Sequence, residues 1–590
     1  MGGILTRRAL LIASSIIILF VLNMAVYNGS LKNGFVYDDQ TQIVSNRLIT
    51  DYSNLPEIFT TGIGKVDKTR RAPYYRPLHF TAYTIEYSLF GLEPMGWHLV
   101  NVLIHFLNAV LVFFLIRLIL RTAGLGEGPG ASLPALAGAA IFSVHPAGSE
   151  VVAWTACMPE LLFTLFSLSA FYLYGRGRES SSTAARFLLV ALSVLIYFLS
   201  NFAKETAIVL PAFLFTFDWA AGRLKSFKSL LWYAPYAAVA IAYVLIRGLA
   251  IGEVPPMDKF YPYLSLGQYF LNLFPLAADY LLMLFLPFSY APFRVWETAA
   301  SISEPRVFVS AIAIFSIAAL YFIFRRSLNR MAALAFVIML FPILKALLVI
   351  NLSPTPQADR YLYYSAFGLA VGVSVLIAAA LRRFVPKAVA ATAAVLSALV
   401  VFVFSAESME RARYWESDLS LWQKTAEAMP DNYFARHFFG VAQLRSGSID
   451  EGTVEIERSA ALNSARPHPD RIILLRSRKA LGVVYSRTGR PQDAIREYTL
   501  ALGVEPDDFD SNSDLGGLYL QAGNYGEAVR LYEKASFVAT SRSQVKESLM
   551  GLGEAYFLMG ERERAKEIFR EALSLYPGDV DFTEKLERLE

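Results

Sequence analysis

The sequence predicts an all-α protein in two parts, a polytopic transmembrane helix bundle followed by a solenoid of helical repeats. Three observations predict it. Apolar runs of spanning length recur through residues 1–405, charged residues are sparse there and dense from 406 to 590, and the C-terminal stretch repeats at a fixed period. The 590 residues are 55% hydrophobic and only 18% charged, with a mean hydropathy of +0.41. Soluble domains carry less apolar content. In lipid every backbone polar group must be paired within the spanning structure, so apolar runs without strand alternation are helices.

These runs lie near 9–27, 99–120, 134–145, 152–174, 187–202, 206–220, 230–250, 267–287, 306–324, 331–350, 361–380 and 388–405. The first follows Arg7 and Arg8 without a convincing cleavage site and reads as an uncleaved span. Basic loops set the orientation: Arg7/Arg8, Arg117/Arg121, "GRGRES" at 175–180, "GRLKSFK" at 222–228, "RRSLNR" at 325–330 and "RRFVPK" at 382–387 belong in the cytoplasm. All of them fit if 267–287 does not cross and about 11 spans remain. The N-terminus is then cytoplasmic, and the loops 28–98 and 251–305 are external, as is the repeat region. The expected domains are 1–405 in the membrane, 406–431 as a helical connection and 432–590 as the repeats. The expected location is a cell (inner) membrane, crossed many times.

The repeat is read from spacing. Leu481, Gly482, Tyr485, Gly489, Ala494, Tyr498 and Ala501 recur 34 residues later as Leu515, Gly516, Tyr519, Gly523, Ala528, Tyr532 and Ala535. A third copy, Leu552, Gly553, Tyr556, Gly560, Ala565, Phe569 and Ala572, is displaced by three residues. That period and pattern are those of tetratricopeptide repeats, in which small residues let paired helices approach and aromatics fill the space between them. Such a solenoid offers a groove for a protein partner but does not name it.

Composition narrows the function classes. A net charge of +4, with basic residues in short inter-helix loops, does not suggest a nucleic-acid binder, and none is expected as a partner. The single cysteine, Cys157, excludes an intramolecular disulfide and a cysteine-rich metal site. Chemistry is sought instead among ionisable residues at external helix ends. The stretch "NGFVYDDQTQIVSN" places Asp38 and Asp39 just after the first span. Adjacent carboxylates raise one another's pKa, which suits a general base; the same acids also serve as turn or capping residues. Further groups on the same side are Arg76, His98, His145 with Glu150, Lys204 with Glu205, and Asp359 with Arg360. Ionisable groups at such positions usually face a polar cavity. His145 and Glu150 alone are too weak a pattern for a metal site, so the metal and any divalent-cation requirement stay open. Asn28-Gly29-Ser30 and Asn351-Leu352-Ser353 form external sequons.

The order "F-x-YDD…N", "YYRPL", "G-x-H-L-x-N-x-L-x-H", "F-x-VHP…E-x-V-A…E-L-L", "KE", "ADRYLY" and then tetratricopeptide repeats resembles the transmembrane and tetratricopeptide-repeat-containing (TMTC) O-mannosyltransferases and their prokaryotic relatives, which belong to the GT-C class. The resemblance runs nearly end to end but is weak over 251–305. It implies a polyprenyl-phosphate sugar as co-substrate on the external leaflet and a protein or envelope-glycan hydroxyl as acceptor, with inversion at the anomeric carbon. It also implies Asp38 or Asp39 as the base. Arg76, His145, Lys204 and Arg360 would bind the donor phosphate, with His98, Glu150, Glu205 and Asp359 in support. The alternative is a non-enzymatic membrane-anchored scaffold, which has no need of acids at external helix ends. A transporter would show internal symmetry and mid-span polar residues, and neither is clear.

Overall fold

The computed structural model describes residues 2–590 except 62–73, 127, 253–260, 262, 289–290, 295, 325–329, 349–354 and 385. Most of the basic loop 325–330 and the sequon at 351–353 lie outside the described residues. The chain divides into two compact units, Met1–Lys424 and Thr425–Glu590, and the division falls inside the predicted connection 406–431. Among the described residues the β pairing is a single isolated antiparallel bridge, Arg294 to Gln357.

In the first unit, eight helices among the described residues are long and apolar enough to cross a membrane. They include Ala9–Lys32, Pro94–Thr122, Thr183–Ala203, Asp359–Arg383 and Lys387–Arg413. Leu266–Phe285, which the charge pattern keeps out of the membrane, also meets the length and hydropathy of a span. Its start is closed by a reciprocal cap between Ser265 and Gln268. Over 206–220 the α-helix is only Leu210–Ala220, 11 residues, behind a 3-10 turn at Glu205–Val209. That is too short to cross alone. The long loop 28–98 also holds a helix, Pro77–Phe90, that the pattern of apolar runs does not mark.

One break organises the centre. Helices Ser132–Val144 and Ala147–Ala153 meet at 61°, because His145 is extended (ψ 128°) and Pro146 follows it. A break frees carbonyls that lipid cannot solvate. Neighbouring side chains take them up. His105 Nε2 bonds the Ser143 carbonyl at 2.9 Å and Ser408 Oγ donates to that of Val144 at 2.8 Å; at the far end of the second helix Asn101 Nδ2 donates to the Trp154 carbonyl at 3.3 Å. With Nε2–H donating, His105 Nδ1 accepts from the Tyr363 hydroxyl at 2.6 Å. The "H-L-x-N-x-L-x-H" stretch therefore works mainly as a set of pins for the bent helix.

The second unit is a run of paired helices, including Arg471–Arg487 with Pro491–Val504 and Phe509–Gln521 with Tyr525–Val538. The small positions of the repeat are where helices touch. A Cβ added at Gly482 would lie 2.7 Å from the Tyr498 ring, and Ala494, Ala501, Ala528 and Ala535 are fully buried. The turn glycines Gly489 and Gly523 have φ of 73° and 76°, a left-handed conformation that other residues rarely adopt.

Candidate active site

The first span ends in a loop without regular structure, Asn33–Asp39. Tyr37 holds φ +51°, a sparsely populated conformation for an aromatic residue. It lies immediately before the two acids, whose surroundings differ. Asp39 is fully buried. Its Oδ1 accepts from the Ala156 N–H at 2.7 Å and its Oδ2 from the Val36 N–H at 3.0 Å. Burial pushes the Asp39 carboxyl well above the usual range; the two N–H donors pull it down, and the charges of Asp38 and Asp418 push it up. Asp38 stays partly exposed, and its carbonyl accepts from Thr41 and Gln42 N–H at 3.1 and 2.9 Å. Asp39 thus ties the loop to the Thr155–Cys157 turn, and Asp38 is the acid with solvent access.

The cations arrive in matched pairs. Arg76 makes a bidentate pair with Glu205, Nε to Oε2 and Nη2 to Oε1, both 2.9 Å. Lys345 lies 3.5 Å from Glu205 and donates to Thr206 Oγ1. Burial alone would raise the Glu205 carboxyl, but Arg76 and Lys345 overcome it and hold the group well below its ordinary value. Lys204 is paired with Glu160. The Arg360 side chain pairs with Glu150 Oε1, and its backbone N–H donates to Oε2 at 2.9 Å. Asp359 accepts from Arg294 at 3.1 Å and Arg411 at 2.9 Å.

Aromatic faces join these pairs into one assembly. Lys204 Nζ and Arg360 Cζ lie 5.8 and 5.0 Å from the Tyr361 ring, and Arg360 also lies 5.7 Å from Trp154. Trp154 in turn faces Tyr37 at 6.0 Å. Tyr37, the residue before Asp38, is therefore joined through Trp154 to Arg360 and Glu150, and Arg360 through Tyr361 to Lys204 and Glu160; the Arg76–Glu205–Lys345 group begins at the residue after Lys204. Four cations (Arg76, Lys204, Lys345 and Arg360) pair with three carboxylates (Glu150, Glu160 and Glu205), with Arg76 and Lys345 sharing Glu205. Such an assembly can hold an anionic group beside a carboxylate base.

Two predicted members stand apart from it. His145 has both ring nitrogens engaged, Nδ1 accepting from the Ala147 N–H at 3.1 Å and Nε2 bonding the Leu284 carbonyl at 2.9 Å. It serves the helix break. His98 is fully buried against the Asn33–Gly34 backbone. Among the described residues, no three His, Cys, Asp or Glu side chains are grouped to hold a metal ion; the acids of the site are matched to cations instead. Sequence reasoning missed Glu160, Lys345, Tyr361 and Tyr37 as members. Glu160 and Tyr361 lie inside quoted motifs, "E-L-L" and "ADRYLY", and that was the available signal.

A tetratricopeptide-repeat family model matches residues 507–578. A protein O-mannosyl-transferase of Caenorhabditis elegans is 23% identical over 71% of this chain and 58% of its own length. The Tmtc1 protein O-mannosyl-transferase of Drosophila melanogaster is 31% identical over 32% of this chain and 20% of its own. Protein O-mannosyl-transferase TMTC3 of Homo sapiens is 28% identical over 31% and 19%. The chain is TMTC-like. It spans a little over half the length of the worm relative and a fifth of the fly and human proteins.

Proposed function

We propose that this TMTC-like chain is a multi-pass membrane glycosyltransferase. It moves a sugar from a polyprenyl-phosphate donor to a hydroxyl of a protein or envelope-glycan acceptor, on the extracytoplasmic side. What supports the reading is a partly exposed acid, Asp38, whose neighbour Tyr37 packs through Trp154 against a partly buried group of paired cations. The names of the relatives, protein O-mannosyl-transferases, favour mannose as the sugar and protein as the acceptor. The repeats would hold that acceptor or an assembly partner.

The step balances as a single displacement. Asp38 takes the proton of the acceptor hydroxyl as the oxygen forms its bond to the anomeric carbon. The bond from that carbon to phosphate oxygen breaks, the electron pair leaves with the polyprenyl phosphate, and the configuration inverts. Negative charge grows on the leaving phosphate, and preorganised cations at that point lower the barrier. Arg360, Lys204 and Arg76 are the candidates. Each holds its carboxylate partner yet keeps further N–H donors, since a guanidinium has five in all and an ammonium three.

The test is transfer from a panel of polyprenyl-phosphate sugars, mannose first, to protein and glycan acceptors by the purified chain. Asp38→Asn keeps shape and loses basicity, so its rate should fall by about 10²–10⁴-fold. Folded Asp38→Asn and Asp39→Asn variants that both transfer at the wild-type rate would remove the acids from the mechanism. No transfer from any donor by the wild type would leave the scaffold.

A further inference from the structure

The loop that carries Asp38 is fastened from two directions, and one fastening comes from the far end of the first unit. Asn33 Nδ2 donates to the Ala412 carbonyl at 3.2 Å, the Gly34 N–H to the Glu416 carbonyl at 3.0 Å, and the Tyr37 N–H to Asp418 Oδ1 at 2.8 Å. The Tyr37 ring lies 5.5 Å from Trp422 and 4.9 Å from Phe293, and Phe293 stacks on Trp422 at 4.7 Å. Trp415 and Trp422 are buried. These residues sit just before Thr425, where the repeat unit begins.

We propose that Asp418 is a positioning residue for the Asp38 base, acting through the Tyr37 backbone. The inference rests on the glycosyltransferase reading above. The Tyr37 φ of +51° persists only where the surroundings over-determine it. The Asp418 carboxylate supplies a charge-assisted acceptor for that N–H, and the cage of Trp154, Phe293 and Trp422 supplies a seat for the ring. Asp38 is the next residue, so the Tyr37 dihedrals set the direction in which the base leaves the loop. Asp39, clamped by Ala156 on the other side, makes Asp38 the centre of a short span held at both ends. A base must lie within hydrogen-bond reach of its proton, and a shift of about 1 Å can cost about 10²-fold in rate.

The test uses the full chain, polyprenyl-phosphate mannose and a Ser/Thr acceptor peptide, with Asp38→Asn as the control. Asp418→Ala removes the acceptor and should lower kcat by about 10²-fold, leaving donor and acceptor KM within about twofold. Asp418→Asn keeps an acceptor oxygen in place and should recover most of that loss. Asp418→Glu keeps the charge and displaces the acceptor by one methylene; it should stay folded and slow. If the Ala variant does not fold, the Asn and Glu variants decide, with Asn fast and Glu slow as the expected result. Wild-type kcat in folded Asp418→Ala or Asp418→Glu would overturn the inference, as would an Asn variant no faster than Glu. A rise in KM equal to the whole loss would also overturn it. The two readings fail separately. An active Asp38→Asn sinks the base itself, whereas a dead Asp38→Asn beside unaffected Asp418 variants sinks only the positioning role.

Discussion

The two units differ in their most deeply buried ion pairs, which lie in the first, and in their most exposed ones, which are commoner in the repeats. In the first, Asp359 and Arg411 are each only 2% exposed, and Glu150 is 1% exposed against Arg360. In the repeats, Arg530 and Glu527 are 65% and 45% exposed. Their core is instead Leu481, Tyr485, Ala494, Tyr498 and Leu515 with their neighbours. Exposed pairs give little stability, while a buried charge that loses its partner costs a great deal. The first unit therefore carries an arrangement that no stability argument favours, and it carries it around Asp38 and Asp39. Buried polar groups kept at such cost mark the place where chemistry is sought. The repeats, whose core is mainly apolar, are suited to display a surface.

The comparison breaks most sharply at Arg411. Arg411→Met should strand part of the Asp359 and Glu407 charge. Removing one partner of a buried pair costs about 3–5 kcal/mol. Arg294 still reaches Asp359, so the lower end is expected, read as a fall in the unfolding temperature of the detergent-purified chain. An unchanged temperature would mean that water reaches this pair.

Acid should loosen the Arg76–Glu205 pair next. In the folded protein Arg76 and Lys345 outweigh burial and hold the Glu205 carboxyl well below the usual carboxylate range. For a depressed carboxyl, the stabilisation is present above the unfolded pKa and lost as pH falls through the folded one. Stability should therefore decline below about pH 4.5, and Glu205→Gln should flatten that part of the profile. The expected effect is smaller than at Arg411, because Glu205 is 23% exposed. A profile equally steep in Glu205→Gln would assign the acid sensitivity to other carboxylates.

Much of this contrast was legible in the sequence, and the rest was not for a physical reason. The repeats announce themselves because each Gly–aromatic contact, such as Gly482 with Tyr498, is local and recurs at one period. Asp38 and Asp39 were visible because they follow a span directly. The division of labour between them was not, since it depends on Ala156, 117 residues from Asp39, and on Asp418, 381 residues from Tyr37. The helix Pro77–Phe90 was hidden because it has 14 residues and includes His79 and Glu86, so it does not look like a span. His145 looked like a phosphate ligand because spacing cannot tell that both ring nitrogens are spent on backbone groups.

In the repeats the same logic predicts sensitivity to volume. Gly482→Ala pushes a methyl against the Tyr498 ring, and overpacking of this kind costs about 1–3 kcal/mol. It should appear as a lower Tm for residues 425–590 produced alone, whose core clusters lie within the unit. An unchanged Tm would mean that the two helices can part without penalty.

The smallest effect belongs to the exposed pairs, and it sharpens the comparison most. Arg530 and Glu527 lie one helical turn apart, with Nη2 to Oε2 at 2.8 Å. Each spends side-chain freedom to hold that geometry, and salt screens what remains. Arg530→Ala should therefore change the stability of residues 425–590 by no more than about 1 kcal/mol, and adding salt should leave wild type and variant closer still. Arg530 also lines a cavity of about 590 Å³ with Tyr519, Glu533 and Lys534. A protein partner seated there would make Arg530→Ala weaken binding far more than folding. A stability loss of several kcal/mol would instead place this pair in the class of Asp359 and Arg411, and the contrast between the two units would no longer hold.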